Sequence, residues 1–290
     1  MDLSRRSFLY AGAGLVGATL ARHSSISAGD VIQRIKDRVG IPWRAQTVDH
    51  VVFGKPETPV RGIATTMMAT MDVLQRAAAA GRNLVITHEP TFYSHQDTTE
   101  PFAQDAAYQF KTAFMNQHEM VVFRFHDHWH AMRPDGIAFG MARALGWDKN
   151  RVADNQREFT FDGVPLATLA NEIRDRLGAR TLRVVGDPAL RVNRAAASWG
   201  YYTFNPANLV MARPDIDVFI VGETREWETV EYAQDLIAAG KKKALIVIGH
   251  VASEQAGMKY CAEWLKGFVG EVPVEFIAAS EPFWSPGPRD

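Results

Sequence analysis

The sequence predicts an α/β fold of two lobes, each a mixed sheet flanked by helices. From about Asp30 onward, short β-rich apolar runs alternate with helical segments. Three of the apolar runs pass directly into histidine-bearing turns, as strands feeding a sheet-end crevice do. The rhythm breaks once, in a polar stretch at 150–158, where the lobe boundary is expected. In order, 67–80 reads as a helix with Leu74, Ala77 and Ala78 on one face and Gly81 as its C-cap. The strand 83–87 follows, then a helix at 103–116, a strand at 120–125, and a helix at 135–145 ended by Gly146. The second half gives a helix at 166–177 and strands at 182–185, 195–199 and 216–221. A helix at 227–239, a strand at 244–248, a helix at 254–268 and a terminal strand at 274–278 complete it. The resulting plan is an N-terminal lobe over 29–150 and a C-terminal lobe over 151–290, with the functional site between them. There is no short-period repeat.

Of the 290 residues, 47% are apolar and 22% charged, which excludes a disordered or collagen-like chain. Lysine and arginine number 32 against 33 acids, a balance that argues against a nucleic-acid groove or a polybasic membrane surface. The single cysteine, Cys261, allows neither an intrachain disulfide nor a thiolate zinc site. The N-terminus reads Ser4-Arg5-Arg6-Ser7-Phe8-Leu9, followed by a weakly apolar run to Ala21. Paired arginines ahead of a short apolar segment form the pattern of a twin-arginine export signal, assigned here to 1–28. The 14 residues of 8–21 are too few for a hydrocarbon core that needs about 20. The expected chain is therefore periplasmic or otherwise extracytoplasmic, without stable membrane insertion once the signal is removed. Cleavage at Ala21, Ser27 or Ala28 fits small-residue preference, and the folded part is expected to start near Gly29.

The chemistry concentrates at strand ends. His88-Glu89-Pro90 follows the strand ending at Thr87, His126-Asp127-His128-Trp129-His130 the one ending at Phe125, and Gly249-His250 the one ending at Ile248. Gly222-Glu223, after the strand ending at Val221, adds a polar edge at the same end. His250 and Glu254 are four apart and share a helix face, while an extended 126–130 would turn its three imidazoles to one side. Histidines with carboxylates and no thiolate suit zinc, manganese or ferrous iron. The small residues of 195–200 permit close approach of a ligand but lack a phosphate-binding glycine pattern.

In this order (His88-Glu89-Pro90, His126-x-x-x-His130 with Asp135-Gly136, Gly222-Glu223, and Gly249-His250-x-x-x-Glu254) the chain resembles the Nif-three-like (NGG-interacting factor three) family. Those proteins are also described as dinuclear-metal-centre hexameric proteins, and some carry the name GTP cyclohydrolase type 2. The resemblance implies a Nif-three-like fold, two divalent ions (zinc, manganese or iron) and a toroidal hexamer. Matched by position, the family's His-His pair falls on His88 and Glu89, its Asp on His130, and its final pair on His250 and Glu254. The two departures are reciprocal, so three histidines and two carboxylates are kept and the ligand charge stays at about −2. On this alignment Glu89 and His130 share one ion, His88 and His250 reach the other, and Glu254 bridges. His126, His128 and Glu223 then orient ligands or face the substrate. Met68 stands where an Asp would align and is assigned to helix packing. The implied function is an exported dinuclear metal-binding protein that hydrolyses a small molecule. The alternative is a non-catalytic metal-binding or metal-storage scaffold. A GTP-directed role fits poorly with export, since GTP is scarce outside the cytoplasm.

Overall fold

Ser27 caps the first helix, α1 (Ala28–Arg38). Its hydroxyl accepts from the Asp30 N–H and its own N–H donates to the Asp30 carboxylate, a reciprocal capping box. Ala28, Val31, Ile32 and Ile35 bury one face, and the Ile26 carbonyl accepts from Val60 N at 2.8 Å. The computed structural model describes residues 26–153, 155–205, 209–284 and 286. Residues 1–25, with the Arg5-Arg6 pair, lie outside the described residues. The fold nonetheless reaches back into the 1–28 stretch assigned to the signal, because Ile26, the Ser27 cap and the fully buried Ala28 belong to the first core.

Strand β1 (Val51–Phe53) leads to β2 (Ile63–Thr66), α2 (Met71–Ala79), β3 (Leu84–Thr87), α3 (Ala106–Gln117) and β4 (Val121–Arg124). Every residue of β2, β3 and β4 is buried, as expected of parallel strands covered on both faces. Helix α2 starts four residues later than its periodicity suggests because the Thr70 hydroxyl accepts from Val73 N and caps it there. After β4 come the short α4 (Asp127–Ala131) and α5 (Gly136–Leu145), the latter capped by Asp135 and ended by left-handed Gly146.

The second half holds β5 (Arg151–Val152), β6 (Asn155–Pro165), α6 (Leu166–Leu177), β7 (Arg183–Val185) and β8 (Arg191–Tyr202). Then follow β9 (Val218–Thr224), a π-helical turn at Glu226–Val230, α7 (Glu231–Ala238), β10 (Ala244–Val247), α8 (His250–Lys266) and β11 (Val274–Phe276). The polar stretch at 150–158, expected to be a connecting turn, lies largely in β5 and β6 at the edge of this sheet, where a half-exposed strand tolerates polar residues.

The first sheet runs β1-β4-β3-β2-β11 and the second β5-β6-β8-β9-β10-β7. The terminal strand, expected in the C-terminal lobe, therefore belongs to the N-terminal sheet, with Val274 paired in parallel to Ile63. The reason is edge availability: β7 closes the second sheet antiparallel to β10, whereas β2 leaves an edge of the first sheet to be covered. Helix α8 lies between the sheets. Thr65 Oγ1 on β2 donates to Met258 O at 2.7 Å, and Gly200 N on β8 donates to Ser253 Oγ at 3.1 Å. Against α5 it packs glycine to glycine, since a Cβ on Gly140 would stand 2.6 Å from the Cα of Gly257. One continuous core joins both sheets, and a smaller one, around Phe219, Val221 and Leu245, lies on the outer face of the second. No helix among the described residues is long and apolar enough to cross a membrane.

Candidate metal centre

The carboxyl ends of parallel strands deliver the polar side chains. His88 and Glu89 follow β3, and after β4 His126 caps the short helix α4, which carries His130. Glu223 is the penultimate residue of β9, while His250 opens α8 and Glu254 lies one turn further on the same face. They meet around the buried Glu254 carboxylate. Its Oε1 is 3.6 Å from His88 Nε2 and 3.8 Å from His130 Nε2, and its Oε2 is 3.2 Å from His250 Nε2. Glu89 Oε1 stands 3.3 Å from His250 Nε2 and 3.8 Å from His126 Nε2. Ligand atoms of His88, His126 and His130 lie within 4.8 Å of one another, as do those of His88, Glu89 and Glu254.

Three of the imidazoles are held from behind. His88 Nδ1 faces the Phe125 carbonyl at 3.2 Å, His130 Nδ1 faces Asp135 Oδ2 at 3.2 Å, and His250 Nδ1 faces Glu223 Oε2 at 2.9 Å. An oxygen on Nδ1 fixes each ring and turns its Nε2 into the cluster, the arrangement of metal-binding histidines. The buried atoms His88 Nε2, His250 Nε2 and Glu254 Oε2 have no hydrogen-bond partner among the described residues. Each such atom costs about 1–3 kcal/mol unless something completes it. Nitrogen and carboxylate donors converging this way fit a divalent cation.

The electrostatics agree. Burial opposes a charged His250, but the carboxylates of Glu223, Glu254 and Glu89 outweigh it and push the pKa up to about 12. Burial likewise opposes ionised Glu89, yet His250 and His88 hold it down to about 2, and Glu254 also stays well below the usual carboxylate range beside His88 and His250. The centre therefore keeps its carboxylates ionised and attracts positive charge. His126 is pushed the other way, down to about 4, by burial and by His88 and His130, so its ring is neutral at neutral pH.

The arrangement differs from the expected one in three respects. Glu89 stands against His250 rather than sharing a position with His130, which turns toward Glu254 Oε1 beside His88. His126 enters the cluster itself, its ring 4.5 Å from that of His88 and 5.0 Å from that of His130. His128 does not join them. Segment 127–131 is helical rather than extended, so His126 and His130 share a face while His128 points back. Its Nδ1 meets Asp49 at 2.6 Å, its Nε2 accepts from Arg44 N at 2.9 Å, and its ring stacks 3.7 Å from Trp43. The Asp49 carboxylate also accepts the backbone N–H groups of His126, Asp127 and His128, which coils this segment.

Two supports escaped the sequence reading. Arg124 is fully buried, donates to His88 O at 3.2 Å, and sets its guanidinium 3.5 Å from Glu89 Oε2 and 3.6 Å from Asp97 Oδ2. A lone cation in the apolar run 120–125 was its signal. The other is Gly200 beneath Glu254. Met68 precedes α2 instead of packing within it, and lines a cavity of about 860 Å³. Glu89, His126, His130, His250 and Glu254 form one wall of that cavity.

Among known proteins, the "GTP cyclohydrolase 1 type 2 homolog" of Chlamydia pneumoniae is 23% identical over 240 residues, 79% of this chain and 88% of that protein. The Clostridium acetobutylicum protein of the same name is 23% identical over 258 residues, 84% of this chain and 91% of its own. The fold matches Staphylococcus aureus protein SA1388 with a TM-score of 0.71 at 18% identity, covering 90% of this chain and 99% of that one. It matches protein ybgI, described as of unknown function, with a TM-score of 0.67 at 23% identity, covering 89% and 100%. The family model Duf34/NIF3 (NGG1p interacting factor 3) matches residues 26–282, and the chain belongs to that family.

Proposed function

We propose that this chain is an exported metal-dependent hydrolase that holds two divalent ions (zinc, manganese or iron) and acts on a small molecule in the adjoining cavity. His88, His130 and Glu254 would hold one such ion, and Glu89 and His250, also beside Glu254, the other. The observation that carries the reading is the set of three imidazoles held at Nδ1 by oxygens, their Nε2 atoms turned to one buried carboxylate. When bound, such a pair supplies Lewis acidity and a nucleophile at neutral pH.

The chain's own groups do the remainder. Asp135 and Glu223 keep His130 and His250 in orientation, and Arg124 holds Glu89 in place. His126 lines the cavity as a neutral ring with its Nε2 3.8 Å from Glu89 Oε1, able to accept a hydrogen bond from a bound group without taking its proton. Hydrolysis is favoured over storage because the cluster forms the wall of a ligand-sized cavity rather than a closed shell. The relatives' name speaks of GTP. For this chain the twin-arginine pattern at Arg5-Arg6 supports an extracytoplasmic location, where a different substrate is needed. The family resemblance supports assembly as a hexamer. Metal analysis of the purified protein, joined to a screen of ester, phosphoester and amide substrates, tests the proposal. Hydrolysis lost on chelation and restored by one of the three metals supports it, and bound metal without any hydrolysis overturns the enzymatic part.

A further inference from the structure

The cavity has a second polar feature in its wall, built from Lys111 on α3 and from Thr91. Lys111 is 5% exposed. Its Nζ donates to Thr91 O at 2.7 Å and lies 5.7 Å from the ring centres of Phe92 and Tyr93. The neighbouring acid, Asp97, favours the Lys111 charge from a distance but spends its hydrogen bonds elsewhere: it accepts from Thr91 N and Phe92 N at 2.7 and 2.8 Å and stands 3.6 Å from Arg124. Thr91 is 2% exposed, and its hydroxyl has no partner among the described residues. An ammonium carries three donors, and burying it with one engaged is costly unless a ligand takes the others. An oxyanion does so, accepting from the ammonium and from the hydroxyl beside it. Burial draws the Lys111 pKa down to about 8, which a bound anion would reverse. The rest of the wall includes Met68, Tyr93 and Trp199, surfaces suited to an apolar or aromatic body.

We infer that this cavity selects organic anions, a carboxylate or phosphate held by Lys111 and Thr91 with the apolar body lying toward the His/Glu cluster. The inference deepens the hydrolase reading and rests on it for the reaction. The probes are phenyl phosphate, phenylacetate and neutral phenylacetamide, titrated calorimetrically into the full chain stripped of metal by a chelator. At least one anion should bind at least tenfold more tightly than the amide, and which one distinguishes phosphate from carboxylate. Lys111→Met should weaken the anion at least tenfold and leave the amide unchanged, and Thr91→Val should weaken the anion several-fold. If Lys111→Met does not fold, Thr91→Val and the anion-to-amide ratio decide. Equal binding of anion and amide, no anion binding at millimolar concentration, or unchanged binding in the variants overturns the inference. Because the probes are tested without metal, anion binding by a protein that hydrolyses nothing when loaded defeats the hydrolase reading alone. Hydrolysis of neutral and anionic esters at equal rates, without anion preference in binding, defeats this inference alone.

Discussion

At Gly200 the backbone takes φ +77°, and a Cβ there would overlap the Glu254 carboxylate. Both facts favour glycine, the first because L side chains rarely adopt that conformation and the second because the buried Glu254 carboxylate stands where the Cβ would be. Gly200→Ala should therefore displace Glu254 and lower metal affinity at least tenfold, measured by competition with a chromophoric chelator. Glu223→Gln is a milder probe. It keeps the shape but removes the charge on His250 Nδ1, and losses of about 10–100-fold in metal affinity are usual for such partners. The same titration checks it, and unchanged affinity would mean that Glu223 does not orient His250. At this scale His88, His250 and Glu254 were legible, since strand-end placement and an i,i+4 spacing are local. His128 was not. Its fate is decided by Asp49, 79 residues away in sequence, whose carboxylate gathers three backbone N–H groups and turns an alternating segment into a helix.

Among the elements, β6 and β8 are tied by a charge cluster. Glu158, buried on β6, accepts from Arg194 and, at 2.5 Å, from Arg213. Hydrogen bonds from Arg213, together with those from Arg194, outweigh burial and hold its pKa below the usual value. A carboxylate depressed in the folded state contributes stability above the unfolded pKa and loses it as pH falls through the folded one. Glu158→Gln should accordingly cost about 1–2 kcal/mol at pH 7. That gap should begin to close below about pH 4.3 and vanish under the folded pKa. Urea denaturation of both proteins between pH 7 and 3 follows it, and a gap independent of pH would contradict the assignment. Helix α1 gives a second element-scale prediction. A chain starting at Gly29 lacks the Ser27 cap and should be less stable than one starting at Ile26 by about 1 kcal/mol or more, read from urea midpoints. The six helices α2, α3 and α5–α8 and the strands β3, β4 and β7–β11 were legible from periodicity and glycine caps, whereas α1, β1, β2, α4, β5 and β6 were not. The partner of β11 was not, because a three-residue strand carries no record of which sheet edge stands open.

In the whole molecule, α8 couples the lobes. Its N-terminal end carries His250 and Glu254, its middle packs on α5 through Gly140 and Gly257, and it bonds to both sheets. The clustered side chains that follow β3 and β4 and those of α8 thus meet only in the complete fold, so on the proposed reading metal binding and global stability should rise together. The direct test of the two-ion claim is metal content per chain for the wild type, Glu89→Ala, His130→Ala and the double variant, each loaded and desalted. The account predicts about two equivalents in the wild type, about one in each single variant and close to none in the double, because Glu89 and His130 serve different ions. A wild type that holds a single equivalent, or a double variant that keeps as much metal as either single, would contradict it.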